Sequence, residues 1–333
     1  MKKIVVLSFS IFCFAYCKAQ TTEDLQKIAY LLSDAVWYSD NYITPATDGA
    51  VYQASSGWLF SPKKQDKWKT TIGLHGNLFF VPKQDRSFKI SNSDFNFFQI
   101  EGATSATVPT ALGNDTQYFL TGEINGQQIR LKTPEGVNQE TVIYPYLQGS
   151  LALPYGFEIM ARYSTKTKLK KGDYQVYGFG LKHNFSHYFE KLISKKLHLA
   201  AAVVYSKEDI NFDFLDVATP YGNLGITQLS GLVDTYHFML SASKEINKIE
   251  IITNLIVNTS SFEYKVSGEK GQIENVIPIQ EIINTSLKDI SKDKTNFIGE
   301  VSGRYQINKF FIQSTFAFGK FVNANLGVQY QIN

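Results

Sequence analysis

Apolar and polar residues alternate through the C-terminal stretch FVNANLGVQYQIN (321–333). Leu326, Val328, Tyr330 and Ile332 fall on one face, and asparagine and glutamine fall on the other. A period of two is the signature of a β-strand, whose successive side chains point to opposite faces. An unpaired strand here would expose a row of free backbone groups. We therefore expect it to pair with the first alternating strand, near residues 67–81, so that the sheet closes on itself.

The same alternation recurs in KWKTTIGLHGNLFFV, YGFEIMARYS and TNFIGEVSGRYQIN. These stretches run about 10 to 14 residues, close to what a tilted strand needs to cross a bilayer. Tight connections such as LPYG, EINK and QINK alternate with long polar ones near 207–231 and 266–293, as in outer-membrane barrels. The pattern predicts an all-β fold, a membrane-spanning antiparallel β-barrel of about 12 strands, or 14 if the ambiguous region 100–140 adds two. The predicted strands lie near 67–81, 86–99, within 115–133, and near 141–152, 155–167, 172–185, 197–207, 232–245, 248–262, 295–307, 309–319 and 323–333.

A soluble exported β-sandwich is the alternative, because its strands also alternate apolar and polar residues. Strand length and the content of 19 Tyr and 25 Phe favour the membrane barrel.

The N-terminal segment MKKIVVLSFSIFCFAYCKAQ has the layout of a secretory signal peptide. Its apolar run, from Ile4 to Tyr16, is too short to span a bilayer, and cleavage is expected after Ala19 or Gln20. Residues 1–20 contain both cysteines and three of the 33 basic residues, which leaves 30 basic against 30 acidic residues. Thiol chemistry and nucleic-acid binding are therefore not expected. The expected location is the cell outer membrane.

A helix is predicted after the signal peptide, because apolar residues recur at steps of three and four in TTEDLQKIAYLLSDAVWYSDNY. Pro45, Gly49 and Pro62 predict irregular structure beyond it. Residues 21–62 are assigned to this helix and a plug, and residues 63–333 to the barrel. Its aromatic residues are expected to pack the plug against the inner wall or, alternatively, to line a cargo site: Trp37, Tyr38, Tyr42, Trp58 and Phe60.

Four charged residues lie on the polar faces of predicted strands: Glu158, Arg162, Glu300 and Arg304. A charge facing lipid is costly, so they are expected to point into the lumen. Pairing with opposite charges on neighbouring strands is the favoured role, and selection of cargo is the alternative.

Enzymatic chemistry is not expected. His183 and His187 have the spacing of two metal ligands on one helical turn, but no third ligand lies nearby. No G-x-S-x-G motif occurs, and no serine pairs by sequence with a histidine and an acid. The sequence therefore predicts no catalytic, metal or cofactor site.

The stretches YITPATDGAVYQASSGWLFSP, GATSATVPTALG and YPYLQGSLALPYGFEIMARYS, together with the signal peptide and helix, resemble a family of exported proteins of unknown function. That family is distantly similar in architecture to the FadL-type long-chain fatty-acid transporters of Gram-negative outer membranes. The resemblance implies that residues 21–62 form a hatch inside the barrel and that hydrophobic molecules pass through or alongside it.

The leading functional hypothesis is a passive channel or transporter for small hydrophobic molecules. The alternative is a non-transporting barrel that serves surface machinery as a structural or assembly partner through its long loops. The expected partners are outer-membrane lipid, hydrophobic small molecules and the barrel-insertion machinery.

Overall fold

A computed structural model describes residues 22–332 apart from 220, 221 and 276. The predicted signal peptide lies outside the described residues.

Ten antiparallel strands close into a barrel, each paired with its neighbour along the chain and the last paired with the first. The strands are β1 (Thr70–Phe80), β2 (Thr141–Ala152), β3 (Phe157–Tyr163), β4 (Gly172–Asn184), β5 (Leu197–Asp213), β6 (Gln228–Ile246), β7 (Ile249–Ser267), β8 (Asp293–Ile307), β9 (Phe310–Phe318) and β10 (Val322–Gln331). The predicted closure is confirmed, because β10 pairs with β1 in a register that places Tyr330 opposite Ile72.

The predicted count of about 12 strands, or 14, is wrong, because the barrel has ten strands. The alternating regions 86–99 and 115–133 form small separate sheets instead of barrel strands. Their buried hydrophobic residues, such as Ile90 and Leu120, pack in the core cluster that also contains residues of the N-terminal helix, so their alternation does not mark contact with the barrel wall. These sheets contain Ser87–Ser91 with Ser105–Pro109, and Gln99–Ile100 with Phe119–Ile124 and Gln127–Lys132. Three further short strands extend the loops: Thr167–Leu169, and Ala218–Thr219 paired with Gly222–Asn223.

The two ends of the barrel differ. At one, the turn end, strands are joined by 153–156, 185–196, 247–248 and 308–309. At the other, the long-loop end, the connections include 81–140, 214–227 and 268–292. Two shorter helices of the described residues lie at the ends of the barrel: α2 (Glu190–Ser194) at the turn end and α3 (Ile279–Leu287) at the long-loop end.

The outer wall of the barrel is apolar. On β10, Leu326 and Val328 are half exposed, whereas Asn325 and Gln329 face inward and are buried, as the sequence predicts. Comparable exposed positions follow the other strands, for example Leu74, Ile143, Phe179, Leu255 and Phe316. Such an apolar belt around a polar interior is the pattern of barrels that sit in lipid. No helix in the described part of the chain has the length and apolarity to cross a membrane.

The N-terminal helix α1 (Thr22–Ser55) is longer than predicted, because it continues through Pro45 and Gly49 instead of becoming irregular there. Proline and glycine lower helix propensity, but propensity yields to tertiary context. Inside a barrel little water is available to satisfy free backbone groups, so a helix, which satisfies its own, is favoured. α1 ends just before Gly57, whose left-handed φ of 70° suits a residue that follows a helix.

Candidate functional site: a helix held in the lumen

α1 and the segment after it run through the barrel from the long-loop end to the turn end. The Thr47 hydroxyl lies 3.2 Å from the Tyr264 hydroxyl, near the long-loop end of β7. The Ser61 hydroxyl donates to Glu250 at the turn end of the same strand, 2.7 Å away. The order of contacts along the strand matches the order along the helix, so the chain threads the lumen.

Polar side chains of the wall hydrogen-bond directly to the backbone of this threaded segment. Asn323 donates to the carbonyl of Tyr52 at 2.8 Å, and Gln148 donates to the carbonyl of Trp58 at 2.7 Å. The first bond satisfies a carbonyl that the last turn of the helix leaves free, and the second satisfies a carbonyl of the irregular segment beyond it. Further donors to backbone carbonyls are Gln313 to Leu59, Lys182 to Ser61 and Asn184 to Pro62.

Arg162 is the centre of these polar wall residues, which we call the collar. Its guanidinium donates to the carbonyls of Ala54 and Ser56 at 3.2 and 2.8 Å and to the Gln148 side chain at 2.9 Å. The group also lies 4.2 Å from the ring centres of both Trp58 and Tyr146. Arg162 is fully buried, and its forked geometry lets one side chain bind two carbonyls of the helix end.

The four charged residues predicted to face the lumen all do so and are buried. Glu158 pairs with Lys182 on the next strand at 2.6 Å, and Arg304 pairs with Glu250 at 3.6 Å. Arg162 and Glu300 differ from the expected strand-to-strand pairing. Glu300 accepts from the backbone N–H of Gly57 at 2.9 Å, so these two residues bind the plug.

Small residues make room for the helix in this narrow lumen. The lumen half of α1 and its exit contain ATDGA and ASSG, at 46–50 and 54–57. A Cβ on Gly49 would lie 2.6 Å from the ring of Phe79, which is itself fully buried. The lumen therefore fits a helix with small side chains on its contact face.

The outer half of α1, residues 22–44, packs outside the barrel among the loops; we call it, with the described residues of 81–140, 214–227 and 268–292, the cap. Asp34 accepts hydrogen bonds from the backbone N–H groups of Asn96, Phe97 and Phe98 at 2.8, 2.8 and 3.0 Å. The Tyr42 hydroxyl donates to the carbonyl of Glu135 at 2.6 Å.

The structure separates the five predicted aromatic residues into two groups. Trp37, Tyr38 and Tyr42 join an aromatic cluster with Phe88, Phe95 and Phe214 of the cap and with Phe212 at the long-loop end of β5. Trp58 and Phe60 lie in the lumen, and the ring of Phe60 stacks on His75 at 5.6 Å. All five make packing contacts within the protein.

Ser206, Glu208 and His237 meet inside the wall, although no sequence motif marks them. The Ser206 hydroxyl lies 2.6 Å from Glu208 and 2.8 Å from Nε2 of His237. An activated nucleophile needs the base between the serine and the acid, whereas here the acid binds the serine. All three residues are fully buried, so this cluster is a structural network of the wall.

An apolar groove of about 480 Å³ lies in the cap between α1 and the region of α3. Leu25, Ile28 and Leu32 line one side, and Ile277, Ile282 and Ile290 line the other. Leu25 and Ile282 are 45% and 39% exposed, on a part of the protein beyond the apolar belt of the wall.

The chain matches a family model over residues 1–332, and that family is described as a family of unknown function, DUF6588. The chain belongs to DUF6588. No curated protein matches it.

Solved outer-membrane proteins resemble this DUF6588 chain only distantly. The translocator domain of the autotransporter NalP from Neisseria meningitidis has 10% identity and a TM-score of 0.35, covering 90% of this chain and 99% of that one. Ail of Yersinia pestis, the attachment invasion locus protein, solved with the heparin analogue sucrose octasulfate, has 8% identity and a TM-score of 0.27, covering 80% and 100%. The CymD monoaromatic hydrocarbon channel has 6% identity and a TM-score of 0.28, covering 85% and 94%. At these scores the assignment of function depends on the geometry of the chain itself.

Proposed function

We propose that this DUF6588 protein is a non-enzymatic outer-membrane barrel, closed to passive diffusion by its own helix, that works as an interaction partner through the cap. The apolar outer wall supports placement in lipid. The long-loop end then faces the outside, because outer-membrane barrels keep short turns on the periplasmic side.

The observation that carries this proposal is the direct bonding between wall and plug. Arg162, Glu300 and Asn323 each bind the backbone of the threaded segment without an intervening gap. A water-filled pathway would need these polar groups to face solvent, yet all three are at most 2% exposed. At the outer end, the folded surface beyond the lumen is the cap, and binding sites commonly lie on such loops.

Conductance tests the closed state directly. The full chain, reconstituted in a planar lipid bilayer, is expected to show no steady conductance. A stable ohmic conductance of the unmodified protein would contradict the proposal.

The cap can be tested in parallel. The protein is purified from membranes with and without residues 115–133, and a stoichiometric surface protein should be recovered only with the intact cap.

Transport of small hydrophobic molecules is a second candidate, and the apolar groove of about 480 Å³ favours it. That volume suits a small ligand. Ala29 lines the groove, whereas Gln26 does not, so A29W should fill it and Q26W should serve as the matched control. Uptake of a labelled fatty acid should fall in A29W and in cells lacking the protein. Unchanged uptake in both would remove this candidate.

A further inference from the structure

The two ends of α1 and its exit segment contact opposite ends of the barrel. Near the start of the helix, Asp24 accepts from the backbone N–H of Asn125 in the cap, 3.2 Å away. Beyond its end, the Lys63 ammonium lies 2.5 Å from Glu245 at the turn end. The chain therefore enters the barrel from the long-loop end and leaves it at the turn end before β1 begins.

The length of α1 exceeds the thickness of the membrane. Its 34 residues span roughly 50 Å at 1.5 Å per residue, against an apolar band of about 25 Å on such barrels. The lumen half fills the barrel, and the outer half stands beyond it in the cap. Both halves are held at fixed heights, the outer by Asp34 and the inner by Arg162.

The expected route of export bears on how the start of α1 reached the long-loop end of the barrel. A secreted chain reaches the outer membrane from the periplasm, and the signal peptide predicted at residues 1–20 would be removed there. In the structure Leu25 lies at the long-loop end, which is the outer end if the protein sits in the outer membrane as proposed. The segment upstream of the lumen has then crossed that membrane.

We propose that the barrel carries its own N-terminal segment across the outer membrane and displays it on the outside. The material carried is polypeptide continuous with residue 22, and the lumen accommodates it as a single chain. Residues 46–57 are the part that stays in the lumen, where a Cβ added at Gly49 would lie 2.6 Å from the ring of Phe79. This inference rests on the outer-membrane placement proposed above but does not depend on whether the cap binds a partner.

Single cysteines test the display, because residues 21–333 contain no native cysteine. Gln26 is exposed near the start of α1, and Lys64 is exposed just after the lumen. Gln128 in the cap and Ser194 at the turn end are exposed controls for the two sides. Intact cells are treated with a membrane-impermeant maleimide, and heat-modifiable migration checks that each variant is folded.

The expected result is labelling of Q26C and Q128C on intact cells, with K64C and S194C labelled only after the outer membrane is permeabilised. Labelling of Q128C but not Q26C on intact cells would overturn the inference. Labelling of S194C and K64C in place of Q26C would overturn it as well, because the barrel would then be inverted. A conducting barrel with the expected labelling would contradict the closed lumen alone.

A tag extends the test to added polypeptide. A short polar epitope is inserted between Gln20 and Thr21 of the full chain. An antibody should bind it on intact cells that also label at Q128C. Binding only after permeabilisation, in cells where Q128C still labels, would show that the barrel does not carry its N-terminal segment outward.

Discussion

The outer half of α1 packs large side chains against the cap, whereas its lumen half presents small side chains and its backbone to the wall. Tyr38 and Tyr42 represent the first environment, and Gly49 and Ala54 the second. One helix therefore contacts two kinds of partner. The outer half packs in the apolar core of the cap, which is surrounded by water, and the lumen half contacts the polar barrel wall, from which water is excluded. Burial of apolar area therefore stabilises the outer half, whereas hydrogen bonds to polar wall residues stabilise the lumen half.

The largest effect is expected from R162M, because it removes the three hydrogen bonds that the buried guanidinium donates and leaves the Ser56 carbonyl without its donor, whereas the Ala54 carbonyl keeps the bond from Trp58 Nε1. Hydrogen bonds to charged groups contribute about 1.5–3 kcal/mol each and are not additive, so we expect the free energy of unfolding to fall by about 3–5 kcal/mol. The measurement is urea-induced unfolding of the reconstituted protein, with conductance recorded alongside. R162K keeps the charge but not the fork and should be intermediate. Unchanged stability and a closed lumen in R162M would show that the collar does not hold the helix.

A smaller decrease in the free energy of unfolding is expected from G49L, which places a side chain where Phe79 already lies. Overpacking of this kind costs about 1–3 kcal/mol, and the helix should shift in the lumen. The matched control is G76L, since an added Cβ at Gly76 on β1 would have no atom within 4 Å. The same unfolding measurement should separate the two. Equal effects in both variants would mean that the lumen does not limit the size of the helix.

D34A should act on the cap alone. It removes the acceptor of three backbone N–H groups, but Asn96 is exposed, and its N–H can regain water. We expect a loss of about 1–2 kcal/mol, at the low end for such groups. Limited proteolysis should cut region 81–140 faster, while the barrel stays closed in conductance. D34N, which keeps one acceptor oxygen, should lower the stability of the cap less than D34A. Opening of the lumen in D34A would show that the two halves of α1 are not independent.

The smallest effect should come from D85N in the cap. Burial raises the pKa of the Asp85 carboxyl above its ordinary value of 3.8, and the charge of Lys320 opposes this only in part. A raised pKa in the folded state means that the charged form costs stability as pH rises above the ordinary value, and the cost is absent below it. D85N should therefore slow hydrogen exchange in residues 83–91 at pH 7, with the difference from the unmodified protein vanishing near pH 3. Equal exchange in D85N and the unmodified protein at both pH values would show that burial of the Asp85 carboxyl is unimportant.

The barrel itself was predictable from the sequence, because a period of two is a local pattern that survives in every wall strand. The same pattern also occurs in Ser87–Ser91 and Phe119–Ile124, which pair outside the barrel, so it could not give the strand count. Pro45 and Gly49 led to the wrong prediction for the end of α1, because helix propensity is a local property and does not reflect the surrounding barrel wall, which excludes water.

The candidate site was predictable only in part. Alternation placed Arg162 and Glu300 on the inner face, but their partners are backbone groups of Ser56 and Gly57, far away in the chain. The type of a residue does not indicate that its side chain will hydrogen-bond to a distant backbone group. The polar donors Gln148, Gln313 and Asn323 escaped notice for the same reason, although their inward positions followed from the period of two.

The position of α1 in the lumen is tested most directly by a disulfide between helix and wall. The Ser55 hydroxyl and the Asn258 amide nitrogen lie 2.8 Å apart, so the pair S55C/N258C should form a disulfide. We expect a cross-linked, reductant-sensitive band for this pair and none for S55C/K182C, because Lys182 contacts Ser61 at a different height. A folded protein that cross-links neither pair, or both equally, would contradict a helix held at a fixed height inside the barrel.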